Sequence, residues 1–207
     1  MNVTVVGAGG LGGYYGGLLA RAGHAVTFVA RGAHLDALRR QGGVRVQAAD
    51  GEFFGPGRAV ATPADAPPAD LVLFAVKSFD TRAAAAALAG TVAAQTAILS
   101  LQNGVDNEEV LAEVCGAGRI LGGAAYVFAT MAAPGVIAQT GGPRRVVVGE
   151  WPRGASPRVE RLAAVCREAG WIVETTVYKH LFAFHYRDRP MIGYFRDPKS
   201  QKEIDIV

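Results

Sequence analysis

The chain is poor in charge, in cysteine and in long apolar runs. Of its 207 residues only 19% are charged and 50% are hydrophobic, which excludes wholesale disorder and provides material for a sizeable core. Mean hydropathy is high at +0.20. Even so, no stretch of about 18 apolar residues escapes interruption by Gly, Arg or Pro, so no membrane-spanning helix is expected. Met1 to Val6 turns apolar at once, with neither the basic opening nor the cleavage site of a signal peptide. Twenty-one basic residues nearly balance 18 acidic ones, for a net charge of +3. No Lys/Arg block is long enough to read as a nucleic-acid surface, and the slight basic excess suits a small anionic ligand. The two cysteines, Cys115 and Cys166, fall in helical-looking stretches. They read as small core residues; a disulfide framework is not supported, and a reducing cytoplasm is the default expectation.

Glycine is what the chain has in excess. Its 27 glycines are close to twice the usual share of roughly 7%, and they cluster at 7–17 and 141–142. The first cluster follows the β-branched run Val3-Thr4-Val5-Val6. It precedes a helical pattern of Leu11, Tyr14, Tyr15, Leu18 and Leu19 at spacings of 3 and 4. Gly23 closes that helix, and Ala25 to Val29 follows as a second strand, completing a βαβ unit.

The alternation continues. A helix is expected over Ala33 to Gln41, stopped by Gly42-Gly43. A small hairpin of Val44 to Gln47 with Arg58 to Ala61 is expected next, around turns at Asp50-Gly51 and Pro56-Gly57. Pro63 to Pro68 reads as a loop. Leu71 to Val76 and Ala97 to Leu101 read as strands buried on both faces, and Asp80 to Leu88 as an alanine-rich helix. Asp106 to Val114 is a helix with Asp106 and Glu109 spaced as a capping box. Later come strands at Ala124 to Ala129, Val136 to Gln139 and Arg145 to Val148, joined by turns at Pro134-Gly135 and Gly141-Gly142-Pro143. A helix over Pro157 to Ala169 and a strand over Trp171 to Thr175 complete the pattern. The expected fold is α/β: a Rossmann-like, mostly parallel sheet with helices on both faces and antiparallel additions.

A strand running through Gly7-x-Gly9-x-x-Gly12 into a helix has a mechanical meaning. Gly7 permits the tight turn, Gly9 lets backbone approach a pyrophosphate, and Gly12 lets helix and strand pack closely. The helix N-terminus then offers free amides and partial positive charge. At the end of the second strand, NAD-binding proteins place an acid for the ribose 2′-hydroxyl. Here Ala30-Arg31 stands there, with no acid between Val26 and His34. An arginine grips a 2′-phosphate, so NADP(H) is expected over NAD(H); the plainer alternative is a solvated surface charge. Lys77 and Asn103 follow the next two buried strands, where ligands bind in open α/β sheets. Lys77 suits an anion, or is simply solvated. Asn103 can both donate and accept, or is simply the first residue of an Asn-Gly turn.

Together, Val5-Val6-Gly7-Ala8-Gly9-Gly10-Leu11-Gly12-Gly13-Tyr14-Tyr15-Gly16, Gly23-His24, Phe28-Val29-Ala30-Arg31-Gly32, Ala75-Val76-Lys77 and Leu101-Gln102-Asn103-Gly104-Val105 resemble the ketopantoate reductase (2-dehydropantoate 2-reductase) family. The resemblance covers about residues 1–176. It implies a cytoplasmic oxidoreductase that uses NADPH to reduce a 2-keto acid to a 2-hydroxy acid in pantothenate biosynthesis. Carried over by position, Gly7, Ala8, Gly9, Gly10, Leu11 and Gly12 would hold the pyrophosphate and Arg31 the 2′-phosphate. Lys77 would touch the cofactor, Asn103 would lie between nicotinamide and substrate, and Ala129 would contact the cofactor through its backbone.

The family continues into an all-helical domain that supplies the proton-donating lysine, and the opening pattern of that domain is absent here. Residues 1–176 are therefore expected to form the NADP-binding domain, and 177–207 an atypical tail in which the second domain is largely missing. That tail carries Tyr178, Phe182, Phe184, Tyr186, Tyr194 and Phe195 among dense charge. Its stretch from Tyr194 to Asp205 resembles the nuclease-like end of some prokaryotic ATPases, and a rearranged gene end is the simplest account of it. Lys179 lies too early to inherit the catalytic role, so no catalytic residue is assigned. No metal site is expected, since His180 and His185 do not share a helix face and Glu203 with Asp205 is only a pair. A non-catalytic NADP(H)-binding module is the competing expectation. An uncovered apolar surface would favour self-association into a homo-oligomer.

Overall fold

The computed structural model describes residues 1–175 and the backbone of two short antiparallel strands, β11 (Gly193–Arg196) and β12 (Glu203–Ile206). Lys179, His180 and His185 lie outside the described residues.

Within 1–175 a ten-stranded sheet is built from β1 (Asn2–Val6), β2 (Ala25–Val29), β3 (Gly43–Ala48), β4 (Gly51–Pro56), β5 (Arg58–Val60), β6 (Leu71–Phe74), β7 (Ala97–Ser100), β8 (Ile120–Ala133), β9 (Val136–Glu150) and β10 (Ile172–Thr175). Its helices are α1 (Gly10–Arg21), α2 (Gly32–Gln41), α3 (Thr81–Ala89), α4 (Asn107–Cys115) and α5 (Pro157–Glu168). The strand order is β4-β3-β9-β8-β7-β6-β1-β2-β5, with β10 also paired to β9. From β5 to β8 every neighbouring pair is parallel, and β9 runs antiparallel to β8. The order reverses at β1, which lies between β2 and β6. Ligands of open α/β sheets bind beyond the carboxyl ends of the strands at such a reversal.

The alternation of side chains along each strand divides the core into two layers. Val3, Val5, Leu71, Leu73, Leu99 and Leu121 face one side, where they pack with Tyr15 and Leu19 of α1, Leu38 of α2 and Cys166 of α5. Val6, Val72, Phe74, Ile98 and Ile120 face the other, against Ala85 and Leu88 of α3 and Leu111 and Cys115 of α4. β6 is apolar at every position, and β1, β2 and β7 bury only the small polar residues Thr4, Thr27 and Ser100 among apolar ones, because both faces are covered. Truncating Leu73 or Leu99, both fully buried, would cost about 2–5 kcal/mol. Both cysteines are free and buried, as expected of core residues. Burial pushes the Cys166 thiol up to about 12.

Three sequence expectations are corrected. Val44 to Gln47 does form a hairpin, but its partner is Gly51–Pro56, paired Val44 to Gly55 and Gln47 to Glu52. Arg58–Val60 instead extends the parallel sheet beside β2. Glycines and prolines at the ends of Gly51–Pro56 disguised a strand whose register is set by the tight turn before it. Val136 to Gln139 and Arg145 to Val148 are not separate strands: both belong to β9, and Gly141-Gly142-Pro143 is no turn. The extra length there is absorbed by register shifts against β8 near Phe128, with Gly142 at φ +81°. The Pro134-Gly135 turn is present, with Gly135 at φ +79°. Asp106 sits at the N-cap of α4 with helical dihedrals and makes no side-chain capping bond, so the capping box does not close through it.

Candidate functional site

The turn after β1 stands at the reversal in strand order. Gly7 adopts φ +94°, and a Cβ there would lie 2.8 Å from the backbone of Ala75 just past β6. Only glycine tolerates both conditions. The Ala8 amide donates to the Val29 carbonyl at 3.2 Å, fastening the turn to the end of β2. Gly12 lies so close beneath the turn that a Cβ would meet the Gly7 carbonyl oxygen at 2.2 Å. Gly10 rests on β8, where a Cβ would meet the Ala129 carbonyl oxygen at 2.1 Å. Leu11 is half-buried against the first core layer. Gly9 is different: a Cβ there would have nothing within 4 Å. It is the N-cap of α1, no side chain caps the helix, and the first turn carries no acid. This open, uncapped, positively polarised helix end fits the pyrophosphate of a dinucleotide.

The remaining expected residues gather around the same strand ends. Ala129 abuts Gly10, as above. Arg31, the N-cap of α2, lies two residues past the end of β2, and its side chain is 84% exposed. Its Nη2 donates to Asp80 Oδ2 at 3.1 Å. Lys77 is exposed at the end of β6, in the same loop as Asp80 and the 84% exposed Phe79. Asn103 is exposed after β7, and its carbonyl accepts from Asn107 Nδ2 at 2.9 Å.

Two positioning devices escaped sequence reasoning. The first is buried Gln102, whose Nε2 donates to the Val76 carbonyl at 2.9 Å and to Thr81 Oγ1 at 2.7 Å. Thr81 Oγ1 in turn donates to Asn107 Oδ1 at 3.0 Å. This chain ties the Lys77 loop to the Asn103 loop. Gln102 Oε1 is buried without a hydrogen-bond partner among the described residues. The second is His34, buried in α2. The Gly135 amide donates to its Nδ1 at 2.9 Å, so Nε2 carries the proton and donates to the Ala8 carbonyl at 2.7 Å. One ring thus joins the glycine turn to the β8–β9 turn. The buried polar residues at 34 and 102 were the available signal, but nothing in one sequence marks them as buried. Asp80 was hidden as a plausible helix start.

Among the described residues, no group of three or more His, Cys, Asp or Glu could hold a metal. No helix there is long and apolar enough to cross a membrane.

A family model described as ketopantoate reductase PanE/ApbA matches residues 3–153. The chain is 32% identical over 176 residues to a protein of Pyrococcus horikoshii named 2-dehydropantoate 2-reductase, covering 85% of this chain and 56% of that one. It is 38% identical over 179 residues to a protein of the same name from Halobacterium salinarum, covering 86% and 57%. A PanE/ApbA family ketopantoate reductase from Ralstonia eutropha superposes with a TM-score of 0.78 at 37% identity, covering 85% of this chain and 56% of that one. The chain spans about half the length of these relatives. A match of this extent and identity, on a fold with this glycine turn, makes the chain a member of the ketopantoate reductase PanE/ApbA family.

Proposed function

We propose that residues 1–176 form an NADP(H)-binding domain that serves the reduction of a 2-keto acid, 2-dehydropantoate, to a 2-hydroxy acid. The observation that carries this reading is the open, uncapped end of α1 at Gly9, with the guanidinium of Arg31 at the end of β2. The α1 amides receive the pyrophosphate, and Arg31 receives the 2′-phosphate. Lys77 adds positive charge along the crevice, and the backbone at Ala129 borders the turn. Asn103 orients the substrate carbonyl beside the nicotinamide, having both a donor and an acceptor to offer. When bound, NADPH supplies the hydride; the protein supplies position and electrostatics. The names of the relatives support the choice of substrate.

The test is NADPH oxidation by the purified chain with ketopantoate present. Turnover that depends on ketopantoate supports the reductase. Tight NADPH binding without turnover favours a cofactor-binding module lacking its own proton donor. Absence of NADPH binding overturns both readings.

A further inference from the structure

Asp80 occupies the N-cap of α3, where a carboxylate commonly accepts from the first amides of its own helix. It makes no such bond. Its Oδ2 instead accepts from Arg31 Nη2 at 3.1 Å, and the two side chains are 36% and 84% exposed. β2 carries no acid at its end, yet the loop after β6 delivers one to the same guanidinium. Because β2 and β6 flank β1, both strand ends border one crevice.

We propose that Asp80 is a specificity-determining residue that sets how strongly the site distinguishes a 2′-phosphorylated dinucleotide from an unphosphorylated one. This rests on the reading above, that the glycine turn holds a nicotinamide dinucleotide with its adenosine ribose at the end of β2. Two effects of Asp80 act in one direction. A 2′-phosphate approaching Arg31 must share the guanidinium with a carboxylate of its own sign. An unphosphorylated ribose presents a hydroxyl donor, which Asp80 can accept as the acid on β2 does in NAD-binding proteins. Preference is then a balance between Arg31 and Asp80. An exposed pair yields readily to a competing ligand, so the balance is open to tuning by one side chain.

The experiment is calorimetric titration of the full chain with NADPH and with NADH, for the unaltered protein, Asp80→Asn and Asp80→Ser. Both replacements can still cap a helix but carry no charge. NADPH is expected to bind roughly two- to fivefold tighter in both variants, and NADH correspondingly weaker. A purely structural role would move both nucleotides together. An unchanged or reversed NADPH/NADH ratio in variants that still bind nucleotide overturns this inference alone. Failure of the unaltered chain to bind either nucleotide overturns the dinucleotide reading and this inference with it.

Discussion

His34 Nε2 lies 2.7 Å from the carbonyl oxygen of Ala8, and this contact makes an imidazole of α2 part of the glycine turn. With Nδ1 accepting from the Gly135 amide, the ring satisfies one acceptor and one donor that would otherwise be orphaned in a buried place. His34→Ala is expected to cost about 1–3 kcal/mol of stability and to weaken NADPH binding by loosening the turn. Thermal melts and NADPH titration check this, and His34→Gln should recover part of both losses.

Gly9 and Gly12 should respond oppositely to the same added methyl. Gly12→Ala drives a Cβ to 2.2 Å from the Gly7 carbonyl oxygen, so it should lower the melting temperature by several degrees or prevent folding. Gly9→Ala meets nothing within 4 Å, and its φ of −73° suits any residue. Its melting temperature should stay within about 2 °C of the unaltered chain, while NADPH affinity falls on the order of tenfold or more, because the methyl occupies the approach of the pyrophosphate. Calorimetry and titration on the two variants separate the effects.

Acid stability should depend on Glu150, at the end of β9. Burial works to raise its pKa, but bonds from Arg158 and Ser156 and the charge of Arg158 outweigh it and hold the carboxyl below its usual range. A depressed folded-state value means that the stabilisation is complete above the ordinary carboxylate pKa of about 4.3 and is lost as pH falls through the folded value. The contribution of Glu150 to the melting temperature should therefore be constant above roughly pH 5 and be lost in more acid solution. Glu150→Gln should lose about 1–2 kcal/mol at neutral pH and show a shallower acid decline. An equally steep decline in the variant would remove Glu150 as its source.

Much of this architecture was legible in the residues themselves. The βαβ opening and the strands at Leu71–Phe74 and Ala97–Ser100 followed from apolar and β-branched runs and helical spacing, because strands covered on both faces admit few polar residues. Gly7, Gly12, Arg31, Lys77 and Asn103 were named from the residues, and Gly10 and Ala129 from the family resemblance. The glycines belong to the turn and the start of α1, Arg31, Lys77 and Asn103 follow β2, β6 and β7, and Ala129, within β8, abuts Gly10. What escaped was long-range. Register chose Gly51–Pro56 over Arg58–Val60 as the hairpin partner, and bulges let β9 run through a Gly-Gly-Pro segment that reads locally as a turn. Asp80, His34 and Gln102 acquire their roles from partners 49, 26 or 101, and 26 or 21 positions away, and no local pattern announces a partner that distant.

The central claim is that the bend between β1 and α1 holds a phosphorylated dinucleotide clasped by Arg31. Isothermal titration with NADPH and NADH, on the unaltered chain and on Arg31→Ala, tests it most directly. The account predicts saturable binding with NADPH preferred, and a preference that collapses in Arg31→Ala through a loss on the order of tenfold or more for NADPH and little for NADH. No heat with NADPH at millimolar concentration, or equal losses for both nucleotides on removing Arg31, would contradict it.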